Sequence, residues 1–208
     1  MARYLESVCK ICRREASKLF LKGDRCFSNK CALEKRAYAP GEHGQRRIKA
    51  TDYSIQLREK QKMRRSYGVM ERQFRSYFRK GERLRGTPGE NLIRLIERRL
   101  DNIVYRMGLA SSRAEARQLV GHGHFTLNGR RVNIPSILLR PVDVVAVKES
   151  SRELLVIKGA IESAKRHTLP SWLEVDPQKL VGTVKSWPTR EEVSLPIQDQ
   201  LIVAIYSK

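Results

Sequence analysis

Acidic residues are scarce in this 208-residue chain: 22 aspartates and glutamates face 42 lysines and arginines, leaving a formal net charge of +20. That shortage excludes an electrically balanced surface, because the excess repels itself until a polyanion neutralises it. Long apolar runs are also missing. None approaches the roughly 18 residues of a spanning helix, and the Met1-Ala2-Arg3-Tyr4 start carries no signal-peptide core. An anionic membrane is therefore the weaker candidate polyanion and nucleic acid the stronger. Aromatics make up only 7% and fall mostly at core-like spacing, so extensive stacking on single-stranded bases is not expected. Tyr67 and Tyr77 read as core. No Gly-Lys-Ser/Thr phosphate loop, His-Glu-x-x-His or Gly-x-Ser-x-Gly occurs, which removes the common hydrolase and nucleotide-enzyme signatures. Cysteine is absent after Cys31, whereas a disulfide framework would distribute it through the domain.

What is present is concentrated. Residues 1–165 hold 37 basic against 17 acidic residues, while 166–208 hold five of each. Between Gly44 and Arg85 the count is 14 against 4. A polyanion-binding face is expected in the first four-fifths of the chain, with the tail as scaffold.

The local signals give a coarse map. Residues 1–36 form a cysteine region, followed by a glycine-rich joint, Pro40-Gly41-Glu42-His43-Gly44. A helix is predicted over 52–66, capped by Thr51 or Asp52 and ended near Gly68. Another covers 69–80, with Met70, Phe74, Tyr77 and Phe78 on one face and Arg72, Arg75 and Arg79 on another. After Thr87-Pro88-Gly89, Leu92, Ile96, Leu100, Ile103 and Met107 form a single helical stripe. Ser112 with Glu115 is a capping-box pattern, opening a short helix to Val120. Asn128-Gly129 between β-prone runs signals a hairpin, since both turn residues need positive φ. A strand is expected at Val144–Val147, a helix from Leu154 to Lys165, and strands at 172–175, 180–186 and 201–206. The fold class is α+β, with a basic helical half followed by a mixed half.

Cys9-x2-Cys12 and Cys26-x4-Cys31 are two knuckles separated by 13 residues. Paired thiolates at such gaps can close a tetrahedral site, which points to one structural Zn²⁺. An iron–sulfur cluster would use the same four ligands and is the alternative. Lys10, Arg13, Arg14, Lys22, Arg25, Lys30 and Lys35 would offset the negative charge of such a centre. The metal would staple a segment too short to bury its own core.

The candidate RNA-contacting residues are Arg13, Arg14 and His43 near the start, then Arg58, Lys60, Lys62, Arg64, Arg65, Arg72 and Arg75 on the basic helices. Guanidinium forks on phosphate oxygens fix position and affinity without reading sequence. Within 98–147, Arg113, Arg117 and Gln118 lie on the capped helix, and His122, His124, Asn128, Arg130 and Arg131 lead through the hairpin tip. The two arginines and the tip could flank a groove, and the helix start could attract phosphate. A metal at His122 and His124 is disfavoured by the lack of nearby carboxylates; a packed imidazole or an RNA hydrogen bond is the plainer reading. His167 has no recognisable partner.

Arg99-Leu100-Asp101-Asn102-Ile103-Val104-Tyr105-Arg106-Met107-Gly108, Ser112 through Val120, Gly123-His124 and Leu127-Asn128-Gly129-Arg130 resemble the RNA-binding module named after small-subunit ribosomal protein S-four. The module also occurs in RNA-modifying enzymes, but here no stretch is left over for a catalytic domain. Pro40 to Gly44, Leu57 to Lys62, Tyr67 to Phe74 and Ala204 to Lys208 resemble the bacterial-type S-four family itself, so the likeness runs end to end. Glu6-Ser7-Val8 stands where that family usually has Gly-Pro, a departure that leaves the cysteines untouched.

The resemblance implies an N-terminal zinc-stapled helical domain over 1–97 and an inserted RNA-binding domain over 98–199, with its core module at 98–160. The C-terminal strand over 200–208 would return to the first domain. It further implies a non-enzymatic, cytoplasmic constituent of the small ribosomal subunit. Such a protein would bind ribosomal RNA at a helix junction, nucleate assembly of the subunit body, lie beside the ribosomal protein numbered five, affect decoding accuracy and, in some members, repress its own messenger.

Overall fold

The computed structural model describes residues 4, 6–46, 49–164, 168–193 and 195–207, and His167 lies outside them. The chain forms two compact units, Met1–Asn91 with Leu195–Lys208, and Leu92–Ser194.

The first unit opens with two short helices, α1 (Cys9–Arg14) and α2 (Ala32–Lys35), around a small core of Ile11, Cys12 and Leu19. The long helix α3 (Asp52–Ser66) starts where predicted. Thr51 is its cap: Thr51 Oγ1 accepts from the Ser54 amide at 3.3 Å, and Ser54 Oγ accepts from the Thr51 amide at 3.0 Å. This reciprocal pairing satisfies amides that the helix itself leaves unbonded. Helix α4 (Glu71–Glu82) buries Phe74, Tyr77 and Phe78, as its periodicity required. Asn91 supports its end, donating from Nδ2 to the carbonyls of Gly81, Leu84 and Arg85.

The C-terminal segment differs from expectation. Residues 201–206 read as a strand because Ile, Val and Tyr favour extended backbone, yet Asp199–Tyr206 is helix α9. Tertiary packing overrides that weak preference. Ile202 and Tyr206, four residues apart, share a face; Ile202 is fully buried, and the Tyr206 ring stacks on Phe78 with centroids 4.6 Å apart. Its hydroxyl donates to Glu71 at 2.9 Å.

Helix α5 (Pro88–Glu97) carries the chain from the first unit into the second. The predicted single stripe from Leu92 to Met107 is broken after α5, and α6 (Leu100–Arg106) begins anew. Arg99 is extended at ψ 138° and bridges to Leu138. The Leu100 and Asp101 amides donate to Ile137 and Pro135 carbonyls at 2.9 and 3.1 Å. A distant segment thus supplies the acceptors that a continuous helix would have found in its own preceding turn.

Helix α7 (Arg113–Gly121), strands β1 (Phe125–Leu127), β2 (Arg130–Val132) and β3 (Val144–Val147), helix α8 (Leu155–Ala164), and strands β4 (Leu173–Asp176) and β5 (Val181–Val184) complete this unit. The strands form one antiparallel sheet in the order β2-β1-β3-β5-β4. Asn128 and Gly129 take φ of 49° and 80°, the double positive turn that the sequence demanded. Leu100, Ile103, Val104, Leu119, Phe125 and Trp172 are among the residues of the core shared by α6, α7 and the sheet. Gly182 on β5 leaves room for the Met107 side chain, since a Cβ there would stand 2.4 Å from Met107 Sδ and force it to shift.

Candidate nucleic-acid interface

The basic helices α3 and α4 look alike in sequence and behave differently in the fold. On α3 every basic side chain from Arg58 to Arg65 has an internal acid. Arg58 and Arg65 reach Glu15 at 3.4 and 2.6 Å, Lys60 reaches Glu71 at 2.8 Å, and Arg64 lies 3.6 Å from Glu71. Lys62 pairs with Glu59. These cations are half-buried. Glu15 itself is buried, and burial pushes its carboxyl up despite the charges of Arg58 and Arg65. Burial likewise pushes at Glu71, but the hydrogen bonds from Lys60 and Tyr206 outweigh it, and its carboxyl is held below the ordinary range.

On α4 the apolar face is turned inward, so Arg72, Arg75 and Arg79 are exposed, and among the described residues they make no ion pair. Lys80, Arg83 and Arg85 extend this patch in the same state. Reading from sequence singled out Arg72 and Arg75 and passed over Arg83 and Arg85, although both lie in the same charge-dense stretch.

In the second unit the structure redistributes the expected roles. Arg113 is buried, donates from Nε to Asn102 Oδ1 at 2.8 Å and stacks over the Tyr105 ring at 4.6 Å. Arg117 pairs with Asp101 at 3.0 Å. Asp101 also holds the fully buried Arg99 in a two-pronged contact at 3.0 and 2.5 Å. Glu97 accepts from Asn102 at 2.6 Å and from Arg106 at 2.7 Å. The motif residues Arg99, Asp101, Asn102, Arg106 and Arg113 thus form a buried polar network, which the sequence carried as charges embedded in an apolar stripe.

The start of α7 is partly taken by its own side chains. Ser112 accepts from the Glu115 amide at 3.3 Å, while the Glu115 carboxylate reaches past it to the Ser111 amide and hydroxyl. An external phosphate would meet that carboxylate first. Asn128 ties the hairpin to β3, donating to Asp143 at 2.9 Å and accepting from the Val144 amide at 2.8 Å. His124 Nδ1 is hydrogen-bonded with Ser151 Oγ at 2.9 Å. Gln118, His122, Arg130 and Arg131 remain exposed. Arg131 lies across Gly123, where a Cβ would come within 2.6 Å of its Nε.

In the cysteine segment, Arg13 donates to the Tyr38 carbonyl at 3.0 Å and Arg14 to the Pro40 carbonyl at 2.9 Å, so both clamp the glycine-rich joint. Arg14 and His43 are exposed. Cys12, Cys26 and Cys31 are buried and all four cysteines are free thiols. Burial raises the Cys12 and Cys26 thiols, and the neighbouring cysteine sulfurs raise them further. Among the described residues no group of three or more His, Cys, Asp or Glu side chains stands in position to hold a metal ion.

Comparison with known proteins places this arrangement. Residues 3–97 match the ribosomal protein S4/S9 N-terminal domain, and residues 98–145 match the S4 domain. The small ribosomal subunit proteins uS4 of Magnetococcus marinus and Syntrophobacter fumaroxidans are each 59% identical over 208 residues, the whole of both chains. The chain belongs to the uS4 family. That of Geobacter metallireducens is 58% identical over the same span. As a member of the uS4 family the chain is a structural, RNA-binding protein of the small subunit of the cytoplasmic ribosome and not an enzyme. No helix among the described residues is long and apolar enough to cross a membrane.

Proposed function

We propose that the protein grips folded small-subunit ribosomal RNA through cations that the fold leaves without an internal carboxylate. The observation that supports this is the contrast between α4, whose arginines are exposed and unpaired, and α3, whose cations are matched to Glu15, Glu59 and Glu71. Arg130, Arg131 and His122 supply a second set on the hairpin unit, and Arg14 and His43 a third near the glycine-rich joint. A rigid body that fixes several RNA helices at once reduces the ordering cost of their later packing, which suits an early role in assembly of the subunit body. Contact with the ribosomal protein numbered five, an influence on decoding accuracy and repression of its own messenger belong to the same reading through the family resemblance. Binding of small-subunit ribosomal RNA measured across a salt series tests it: a steep dependence is expected, and equal affinity for duplex DNA would overturn it.

We propose that the four cysteines, which do not stand in liganding positions among the described residues, draw together on one structural Zn²⁺. Support comes from the donor set: four free thiols close enough to perturb one another, with the Lys22 amide donating to Cys26 Sγ at 3.4 Å. Amide donors of this kind favour thiolate, and the metal would supply the charge that buried thiolates lack. Cys9, Cys12, Cys26 and Cys31 would hold it, with an iron–sulfur cluster as the alternative, separable by optical absorption. Metal analysis of the purified chain should return one ion. Chelation should accelerate amide exchange over 6–46 and leave the α6–α7–sheet unit unchanged; unaltered exchange would remove the stapling role.

A further inference from the structure

A cavity of about 330 Å³ opens beside α1 and α2, lined by Lys10, Arg13, Arg25, Lys30, Lys35 and Arg36 together with Ser7, Cys9 and Ala32. Its size lies at the small end of ligand cavities, about 300–1,000 Å³. Six cations facing one small space repel each other; few carboxylates meet them, and a tetrathiolate Zn²⁺ centre through Cys9 would carry a net charge of about −2, which leaves most of the six uncompensated. Among the described residues Lys10 alone of the six has a carboxylate, Glu6 at 3.1 Å, and both side chains of that pair are largely exposed. Arg13 and Arg25 give their Nε protons to neutral carbonyls, of Tyr38 and Lys30, which leaves their charge in place. Lys30, Lys35 and Arg36 make no ion pair among the described residues. Glu34, next to Lys35 in the chain, is taken by Lys18.

The walls therefore offer converging positive charge, two guanidinium planes already oriented by their own hydrogen bonds, and no acid or aromatic ring among the residues that line the space. That combination selects for dense negative charge on tetrahedral oxyanions. A nucleobase has nothing to stack on there, and a metal cation would be repelled. Arginine forks match phosphate oxygens two at a time, and lysines add point charge. We propose that this cavity is a discrete site for two or more closely spaced phosphates. The same chemistry is offered by a free polyphosphate group and by a sharply folded RNA backbone. The site itself does not depend on the RNA reading above, because a free phosphate chain is enough to reveal it.

The test uses the full chain as purified and inorganic tripolyphosphate, followed by titration calorimetry. One tripolyphosphate per chain is expected, and Lys35→Ala with Arg36→Ala should weaken it by about tenfold or more, since each lost contact is a charge-assisted bond. Both positions are exposed, so the variant should fold. Lys148→Ala with Arg152→Ala removes the same two charge types from exposed positions of the second unit and should stay within about twofold. Preloading with small-subunit ribosomal RNA separates the sources. Loss of the tripolyphosphate signal shows that RNA phosphates fill the cavity, and its survival shows a site for free polyphosphate; either result keeps the site. Equal weakening in the two double variants, or several weak equivalents per chain, would show diffuse surface charge and overturn the proposal.

Discussion

Helices α3 and α4 are neighbours in sequence, share a charge-rich composition and would be scored alike by counting lysines and arginines. Their fates diverge because of what lies opposite them. Helix α3 faces the buried Glu15 and the half-exposed Glu71 and carries Glu59 one turn before Lys62, so its cations are consumed as internal cement. Helix α4 turns Phe74, Tyr77 and Phe78 inward and has no acid across from Arg72, Arg75 or Arg79 among the described residues. A count of charge measures the total available to a polyanion; the fold decides how much of it is already neutralised.

The contrast can be pressed hardest at its extremes. Asp101 is an internal acid of the second unit that holds Arg99 and Arg117 together. Asp101→Ala should cost about 3–5 kcal/mol of stability in denaturant unfolding, because it removes the carboxylate paired with a fully buried guanidinium. A loss below about 1 kcal/mol would mean that Arg99 has another adequate partner. The opposite class comes next. Replacing Arg72, Arg75 and Arg79 together with alanine should lower RNA affinity by about 100-fold and flatten the salt slope by about two to three units, with little change in stability. Were the slope to flatten as much for Lys60→Ala with Arg64→Ala, the division between paired and free cations would fail.

Smaller effects sharpen the picture. Glu71 is held below its ordinary range, so its contribution is present above the unfolded carboxyl pKa and fades as pH falls through the lower folded value. Because its side chain is partly exposed, Glu71→Gln should cost only about 0–1 kcal/mol near neutral pH. The variant should also lose the corresponding acid-side dependence in thermal unfolding. Glu15 has the opposite sign. Its folded pKa is raised, so the fold favours the protonated form and stability declines as pH rises through that value. Glu15→Gln should therefore abolish a fall of stability with rising pH; abolition of a rise instead would show the ion pairs with Arg58 and Arg65 to dominate.

The same division explains which site residues were legible beforehand. Arg130 and Arg131 are exposed at the hairpin that the Asn128-Gly129 signal marked, and His122 is exposed rather than packed. Arg113 and Arg117 belonged to the same apparent groove, yet Asn102 and Asp101 hold them. Nothing local distinguishes an arginine aimed at solvent from one aimed at a residue 11 or 16 positions away. Glu115 gave a similar half-answer: the cap at Ser112 was readable, while the carboxylate's choice of Ser111 depended on the turn before it.

By itself, the sequence determined what short-range physics controls: the cap at Thr51, the amphipathic face of α4, the Asn128-Gly129 turn, the gathering of cysteines at one end and the large surplus of positive charge. Each is settled within a few residues by dihedral preference, hydrogen-bond reach or composition. Tertiary structure alone decided where the stripe breaks at Arg99, why 199–206 coils into a helix against Phe78, and which cations keep their charge for an outside partner. Those outcomes depend on groups far apart in the chain, and pairing across such distances has no local signature.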